Sequence, residues 1–321
     1  MSIRHSLIGL SALVLTASIS ACGSNPTAES TSPGRESPPP ETAAGAQAGA
    51  CPTAPVDVVV SVDQWGDIVS ELGGACATVK TVLASSSVDP HDYEPSPADA
   101  ASFTGAKLIV LNGADYDHWA SDLAATSAPA APVVSAAAVT QTEDGANPHL
   151  WYSPSAVTAV ADAVSAELAK IDPEAAGYFS ERRAAFATTM QPYSTLIEKI
   201  KAGATGKSYA ATESVFDYSA EALGLINKTP QGYQQAAANE SEPAPADIQA
   251  FRKALANRQI DVLIYNIQTE GSIPEQIRAA AEESGIPVVE VTETVAPGET
   301  TFVGWQDKQL TALAGALGVT D

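Results

Sequence analysis

A chain of 321 residues has the length of about two ordinary domains. Its 16 Lys and Arg against 38 Asp and Glu leave a formal charge of −22, which repels phosphate backbones and anionic headgroups and so excludes nucleic acid and electrostatic membrane docking; a charged ligand would be a cation. Hydrophobic residues at 45% suffice for a core, and three cysteines are too few for a disulfide scaffold or a cysteine-based zinc module.

The first residues read as an export signal. Arg4 and His5 precede an apolar run from Leu7 to Ile19, shorter than the ~20 residues of a spanning helix. The run closes on Ile19-Ser20-Ala21-Cys22, which resembles the lipobox of bacterial lipoproteins. Residues 1–21 are therefore a predicted lipoprotein signal peptide, and Cys22 is the expected lipidated first residue of the mature chain. Residues 23–50 contain no Val, Ile, Leu, Met, Phe, Tyr or Trp and carry Pro38-Pro39-Pro40 among Ser, Gly, Ala and Thr. Such a stretch cannot bury enough surface to fold, so 22–50 is expected to be a disordered tether. No later segment approaches transmembrane length. The expected location is the outer face of the cell membrane, held there by lipid alone.

From Val56 the texture is α/β. Val56–Val62 is a β-branched run ending at Asp63, followed by a helix from Trp65 to Leu72 that stops at Gly73-Gly74. Val79–Leu83, Leu108–Leu111 and, more weakly, Val133-Val134 are further short apolar runs, and their alternation with amphipathic stretches implies a mainly parallel sheet covered on both faces. Helical periodicity then takes over, from Ser153 to Ile171 and from Pro173 to Ala202, with Asp172 as N-cap and Pro173 at the first helical position. About 30 residues of helix would be ~45 Å long, more than a crossover in a small lobe needs. The α/β texture returns with a strand at Tyr209–Thr212, a helix over 214–223, a Gly/Pro/Gln-rich loop through 243, a helix Asp247–Asn257, a strand Val262–Tyr265, a helix Pro274–Ser284, a strand Val288–Val291 and a closing helix Trp305–Leu317. The predicted fold is α/β: two lobes, each a mainly parallel sheet flanked by helices, joined by one long rigid helix. The boundaries fall at 51–172 for the N-terminal lobe, 173–204 for the linking helix and 205–321 for the C-terminal lobe. Ligands of open α/β sheets bind at the carboxyl ends of strands, which here face the cleft between lobes.

Few residues carry chemistry. Beyond the signal the histidines are His91, His118 and His149. Two share a setting: Asp89-Pro90-His91-Asp92-Tyr93-Glu94-Pro95-Ser96-Pro97 and Asn147-Pro148-His149-Leu150-Trp151-Tyr152-Ser153-Pro154. In each, Pro fixes the backbone before an imidazole, an aromatic follows within two residues, and Ser-Pro or Pro-Ser-Pro opens a helix. One Pro-His would read as a loop histidine bonded to a carbonyl; two echoing copies after strands favour paired metal ligation. His118, at a helix start beside Asp115 and Asp117, reads as a surface or packing residue. Gly203-Ala-Thr-Gly206-Lys207-Ser208 imitates a phosphate loop but has Lys201 where the pattern needs glycine, and it follows a helix where the pattern needs a strand.

These motifs resemble the solute-binding lipoproteins of bacterial zinc and manganese ABC importers, over essentially residues 56–317. Besides Pro-His-Asp-Tyr-Glu-Pro-Ser-Pro and Pro-His-Leu-Trp, the second lobe offers Ala211-Thr212-Glu213-Ser214-Val215-Phe216-Asp217-Tyr218. The resemblance implies a metal site made of His91, His149, Glu213 and Glu293. Glu213 stands where most zinc members have histidine and many manganese members glutamate; Glu293, in Val291-Thr292-Glu293-Thr294, stands where aspartate is commoner. The loop Ala136–Asn147 is short and lacks the histidines many zinc members carry there, and Asn147 replaces the usual aspartate before the second Pro-His. The implied function is capture of Zn(II) or Mn(II) as cargo in the inter-lobe cleft and delivery to an ABC permease and its ATPase, by a monomer that is not an enzyme, binds no organic cofactor and no nucleic acid, and meets the membrane through its lipid anchor only. A metal-bearing surface adhesin and a metal-dependent hydrolase using Glu213 or Glu293 as base are the alternatives. Cys51 and Cys76 precede the first two strands, neighbours in the expected sheet, and in an oxidising compartment they are expected to form a disulfide.

Overall fold

The computed structural model describes residues 49–84, 93–239, 241–269 and 271–319. The signal and lipidation residues, Cys22 among them, and the first Pro-His with His91 lie outside the described residues.

The β-branched run becomes β1 (Val56–Val62), which leads directly into α1 (Asp63–Gly73). A short 3-10 turn, Gly74–Cys76, returns the chain to β2 (Ala77–Leu83). Gly74 has φ +50°, and a Cβ there would overlap the Tyr178 hydroxyl, so the turn both bends backward and lets another helix approach closely. Then follow α2 (Pro97–Phe103), opened by a Ser96/Asp99 capping box, β3 (Leu108–Leu111), α3 (His118–Ser127), β4 (Val133–Ser135) and α4 (Ala136–Thr140). These strands form a parallel sheet in the order β2-β1-β3-β4.

Ser153 caps α5 (Pro154–Ile171), with Pro154 in the first turn, and Asp172 caps the 3-10 turn Pro173–Ala175. The linking segment is a bent helix: α6 (Ala176–Thr189) and α7 (Gln191–Gly203) are separated at Met190. Pro192 has no N–H for the Thr188 carbonyl, and the bend falls just before it, where its ring sits in the first turn of a new helix.

The second lobe repeats the plan with β5 (Ser208–Ala211), α8 (Asp217–Ala222), β6 (Ile226–Asn227), α9 (Gln231–Ala238), α10 (Pro245–Ala256), β7 (Val262–Asn266), α11 (Ser272–Glu283), β8 (Val288–Val291) and α12 (Phe302–Leu317). Its strands are again all parallel, in the order β6-β5-β7-β8. The stretch expected to be loop through 243 contains α9, held because Tyr233 is buried against Phe251 with ring centroids 4.9 Å apart. The helix expected over 214–223 begins only at Asp217, since 212–216 form the turn that carries Glu213.

One apolar cluster runs from the first sheet through α5, α6 and α7 to one face of the second sheet and α12; the other face of the second sheet, with Ala210 and Leu263, packs on Phe251, Leu255 and Ile277. Residues that alternate along β5 and β7 therefore serve two different cores, the period-2 rule of a sheet covered on both sides. The lobes meet through aromatics, Tyr152 lying 5.5 Å from Phe216 and 5.8 Å from Trp305, and Tyr193 of the linking segment lies 6.3 Å from Phe302. Cys51 and Cys76 are joined by a disulfide, which ties the chain ahead of β1 to the end of the turn before β2.

Candidate metal centre

In both parallel sheets the segments that leave the carboxyl ends of the strands converge on the inter-lobe cleft. From the first lobe come Gln64 after β1, the turn Asn112–Asp117 after β3, and the loop to His149 beyond β4; from the second come Glu213 after β5, Asn266 at the end of β7 and Glu293 after β8.

His149 is 7% exposed, and its ring is fixed from three sides. Asn112 Nδ2 donates to the Pro148 carbonyl at 2.9 Å, holding the backbone that precedes it. Trp151 meets the imidazole edge-on at 5.4 Å, and Tyr116 at 6.2 Å. Asn147 sets the tautomer. Its Nδ2 donates to the Ser214 carbonyl at 2.8 Å, which turns Oδ1 toward His149, where it lies 3.1 Å from the main-chain N–H and 2.6 Å from Nδ1. An amide oxygen only accepts, so Nδ1 carries the proton and the lone pair of the neutral ring is at Nε2. That Nε2 faces Glu293 Oε1 across the cleft at 3.6 Å.

Asn266 Nδ2 donates to Glu213 Oε2 at 2.5 Å, and the Thr269 side chain lies near the same carboxylate. Burial pushes the Glu213 carboxyl above the usual range, and the nearby charge of Glu293 pushes the same way; the bond from Asn266 and the proximity of Thr269 and His149 oppose both. A buried carboxylate repelled by a second one and drawn to an imidazole is what a cation would relieve.

The structure thus brings His149 and Glu293 together and places Glu213 within electrostatic reach of both. Among the described residues, which exclude His91, no three His, Cys, Asp or Glu side chains cluster tightly enough to enclose an ion. His118 is exposed at the start of α3, whereas its neighbour Asp117 is buried, accepting from Ser61 Oγ at 2.5 Å and from the Asn112 and Gly113 N–H groups at 2.8 Å each. Lys207 reaches Asp261 at 3.2 Å at the amino end of β5, the wrong end of the strand for a phosphate loop. Trp151 and Phe216 are fully buried, while Tyr93 is half-buried against Trp119.

Sequence reasoning passed over Asn112, Asn266, Gln64 and Tyr116, all of which support the site. The usable signal was a polar residue at the end of an apolar strand: Asn112 follows Leu108–Leu111, and Asn266 follows Val262–Tyr265.

A family model described as zinc-uptake complex component A, periplasmic (ZnuA) matches residues 58–316. The high-affinity zinc uptake system protein ZnuA of Bacillus subtilis (strain 168) is 22% identical over 203 residues, covering 57% of this chain and 62% of that protein. The manganese-binding lipoprotein MntA of Halalkalibacterium halodurans is 22% identical over 175 residues, covering 52% and 58%. The chain spans about six-tenths of the length of these curated relatives. Among solved structures, the periplasmic zinc-binding protein TroA from Treponema pallidum superposes with a TM-score of 0.66 at 20% identity, covering 82% of this chain and 99% of that one; the two share the two-lobed fold.

Proposed function

Because this chain belongs to the family of periplasmic zinc-uptake components A, we propose that it is an exported lipoprotein that captures a divalent transition metal ion between its lobes and hands it to an ABC-type importer. In this reading residues 1–21 are the signal, Cys22 carries the lipid, 22–50 is the tether, and the lobes are 51–172 and 205–321 joined by 173–204. The protein acts as a monomeric receptor and catalyses no reaction; its partners are the metal and the permease with its ATPase.

The observation that carries the reading is the His149–Glu293 pair. Nε2 of a tautomer fixed by Asn147 and a carboxylate from the other lobe face each other at 3.6 Å, a separation in which one ion can be bound by both. The proposed ligands are His91, His149, Glu213 and Glu293. Two neutral imidazoles and two carboxylates balance the charge of a divalent ion, and the oxygen donors make the set harder than a three-histidine site. No helix among the described residues is long and apolar enough to cross a membrane.

Zn(II) and Mn(II) are both proposed as cargo. The Irving–Williams order places Zn(II) ahead at such a site, so selection of Mn(II) would depend on supply or on release to the permease. The test is elemental analysis of protein purified without added metal, followed by competitive titration of Zn(II) against Mn(II). Glu213→His is expected to raise the Zn/Mn affinity ratio. An unchanged ratio removes Glu213 from the ligand set, and protein that binds neither ion removes the whole reading.

A further inference from the structure

Glu293 is a residue of the second lobe, but the groups that fix it come from α1 of the first. Gln64, in the first turn of α1, is fully buried. Its Nε2 donates to the main-chain carbonyl of Glu293 at 3.3 Å and to the hydroxyl of Tyr116 at 2.8 Å. Tyr116 in turn hydrogen-bonds the Glu293 side chain; a carboxylate only accepts and an amide N–H only donates, so the phenol accepts from Gln64 while donating to the carboxylate. One amide therefore grips Glu293 twice, directly at the backbone and through Tyr116 at the side chain. Its neighbours on the same face extend the hold. Asp63 accepts from the Val295 N–H, and Asp67 Oδ2 accepts from the Phe302 N–H at 2.7 Å, at the N-terminus of α12. The loop that carries Glu293 is thus pinned near its start, next to Glu293 and at its end by one turn-and-a-half of a helix from the opposite lobe.

We infer that Gln64 is a positioning residue for the metal site: from the first lobe it sets where the Glu293 carboxylate stands, so that the second lobe's ligand is in place only while α1 is docked. The inference rests on Glu293 being a metal ligand, as proposed above. A consequence is that any partner that draws α1 away from the 293–302 loop weakens the hold on the ion without touching a ligand.

The test compares Gln64→Met, which keeps length but cannot donate, and Gln64→Glu, which keeps shape, in the wild-type and Glu293→Ala backgrounds. Zn(II) affinity is measured by competitive titration, the visible absorption of the Co(II) form reports the coordination, and denaturant unfolding of the metal-free protein reports the fold. The expected result is a loss of about tenfold in Zn(II) affinity and an altered Co(II) spectrum for either variant, as for other outer partners of metal ligands, with no further loss when Glu293 is already alanine. Wild-type affinity and spectrum in whichever variant folds, or the same loss in both backgrounds, overturns the positioning role. Undiminished metal binding by Glu293→Ala alone is a different result, which removes Glu293 from the ligand set and the inference with it.

Discussion

Asn147 does three things with one amide: it accepts from the backbone and from the ring of His149, and it donates across the cleft to Ser214. A carboxylate at the same place would keep the two accepting roles and lose the donating one, while facing a carbonyl oxygen at close range. The amide therefore gives up the charge that would make the imidazole more basic and gains a bond between the lobes. Asn147→Ala should lower metal affinity by roughly 10- to 100-fold, the usual cost of releasing a ligating histidine from its partner. Competitive titration beside His149→Ala, which should lose more, checks this. His149→Ala also removes a ring packed edge-on against Trp151. Binding in the wild type should also weaken as pH falls, since protons compete with the metal for its ligands.

At the scale of elements, α1 carries most of the organisation. Its first turn holds the 293–302 loop, and its far end is docked on α6, where the Ala75 N–H meets the Tyr178 hydroxyl at 2.7 Å and Arg182 Nε donates to the Glu71 carbonyl at 2.7 Å. Gly74 makes that docking possible. Gly74→Ala drives a Cβ into Tyr178 Oη and to within 2.9 Å of Arg182 Nε at φ +50°, whereas a methyl on Gly105, at φ +88°, would meet nothing within 4 Å. Gly105→Ala should thus cost about 1 kcal/mol through the backbone alone. Gly74→Ala should cost roughly 1–3 kcal/mol more, from overpacking, as read from denaturant midpoints at constant slope. Equal losses at the two positions would mean that the α1–α6 contact contributes nothing beyond the turn.

Over the whole molecule, buried acids and an acidic surface act in the same direction. Burial pushes Asp63 up to about 6, against the opposing hydrogen bonds from Val295 and Gln64, and it also raises Asp67, Glu71 and the fully buried Asp117. A carboxyl whose folded pKa is raised stabilises the fold below its unfolded pKa and loses that contribution as pH climbs through the folded value. For Asp63 the window runs from about 3.8 to about 6. The metal-free protein should therefore be more stable toward denaturant near pH 5 than at pH 7.5, with relief of the −22 charge adding to the trend. Metal affinity should move the other way. A metal-free stability that falls from pH 7.5 to 5 would contradict the burial argument. The apolar cluster that runs unbroken from one lobe into the other, with Tyr152 between Phe216 and Trp305, leaves little room for the lobes to swing apart. Small-angle scattering should accordingly show no resolvable change in radius of gyration when metal is added; a marked contraction would point to clamshell closure.

Local pattern was enough for most strands and helices, but not for β6, which lies in the stretch read as loop. Strands buried on both faces read as near-continuous apolar runs, and Leu108–Leu111 and Val262–Tyr265 stand out for that reason, while Val56–Val62 and Val288–Val291 stand out despite the exposed Asp57 and Glu290. The caps at Ser153 and Asp172 and the stop at Gly73-Gly74 are likewise local chemistry. Helix α9 was hidden because a single buried residue, Tyr233, holds it, and one anchor has no period. The bend at Met190 was hidden because Pro192 is compatible with a helix's first turn and only the packing of α6 and α7 makes that turn a beginning. His149 was legible from its Pro-His setting after a strand, whereas Glu213 and Glu293 were implied only by the family resemblance. What the sequence could not express is which groups hold them. Gln64 and Glu293 stand 229 positions apart, and their contact exists because two separate parallel sheets turn their carboxyl ends toward one cleft. Periodicity and capping act over a few residues and are written in the chain; the partner of a buried amide is chosen by packing, and only the folded molecule decides it.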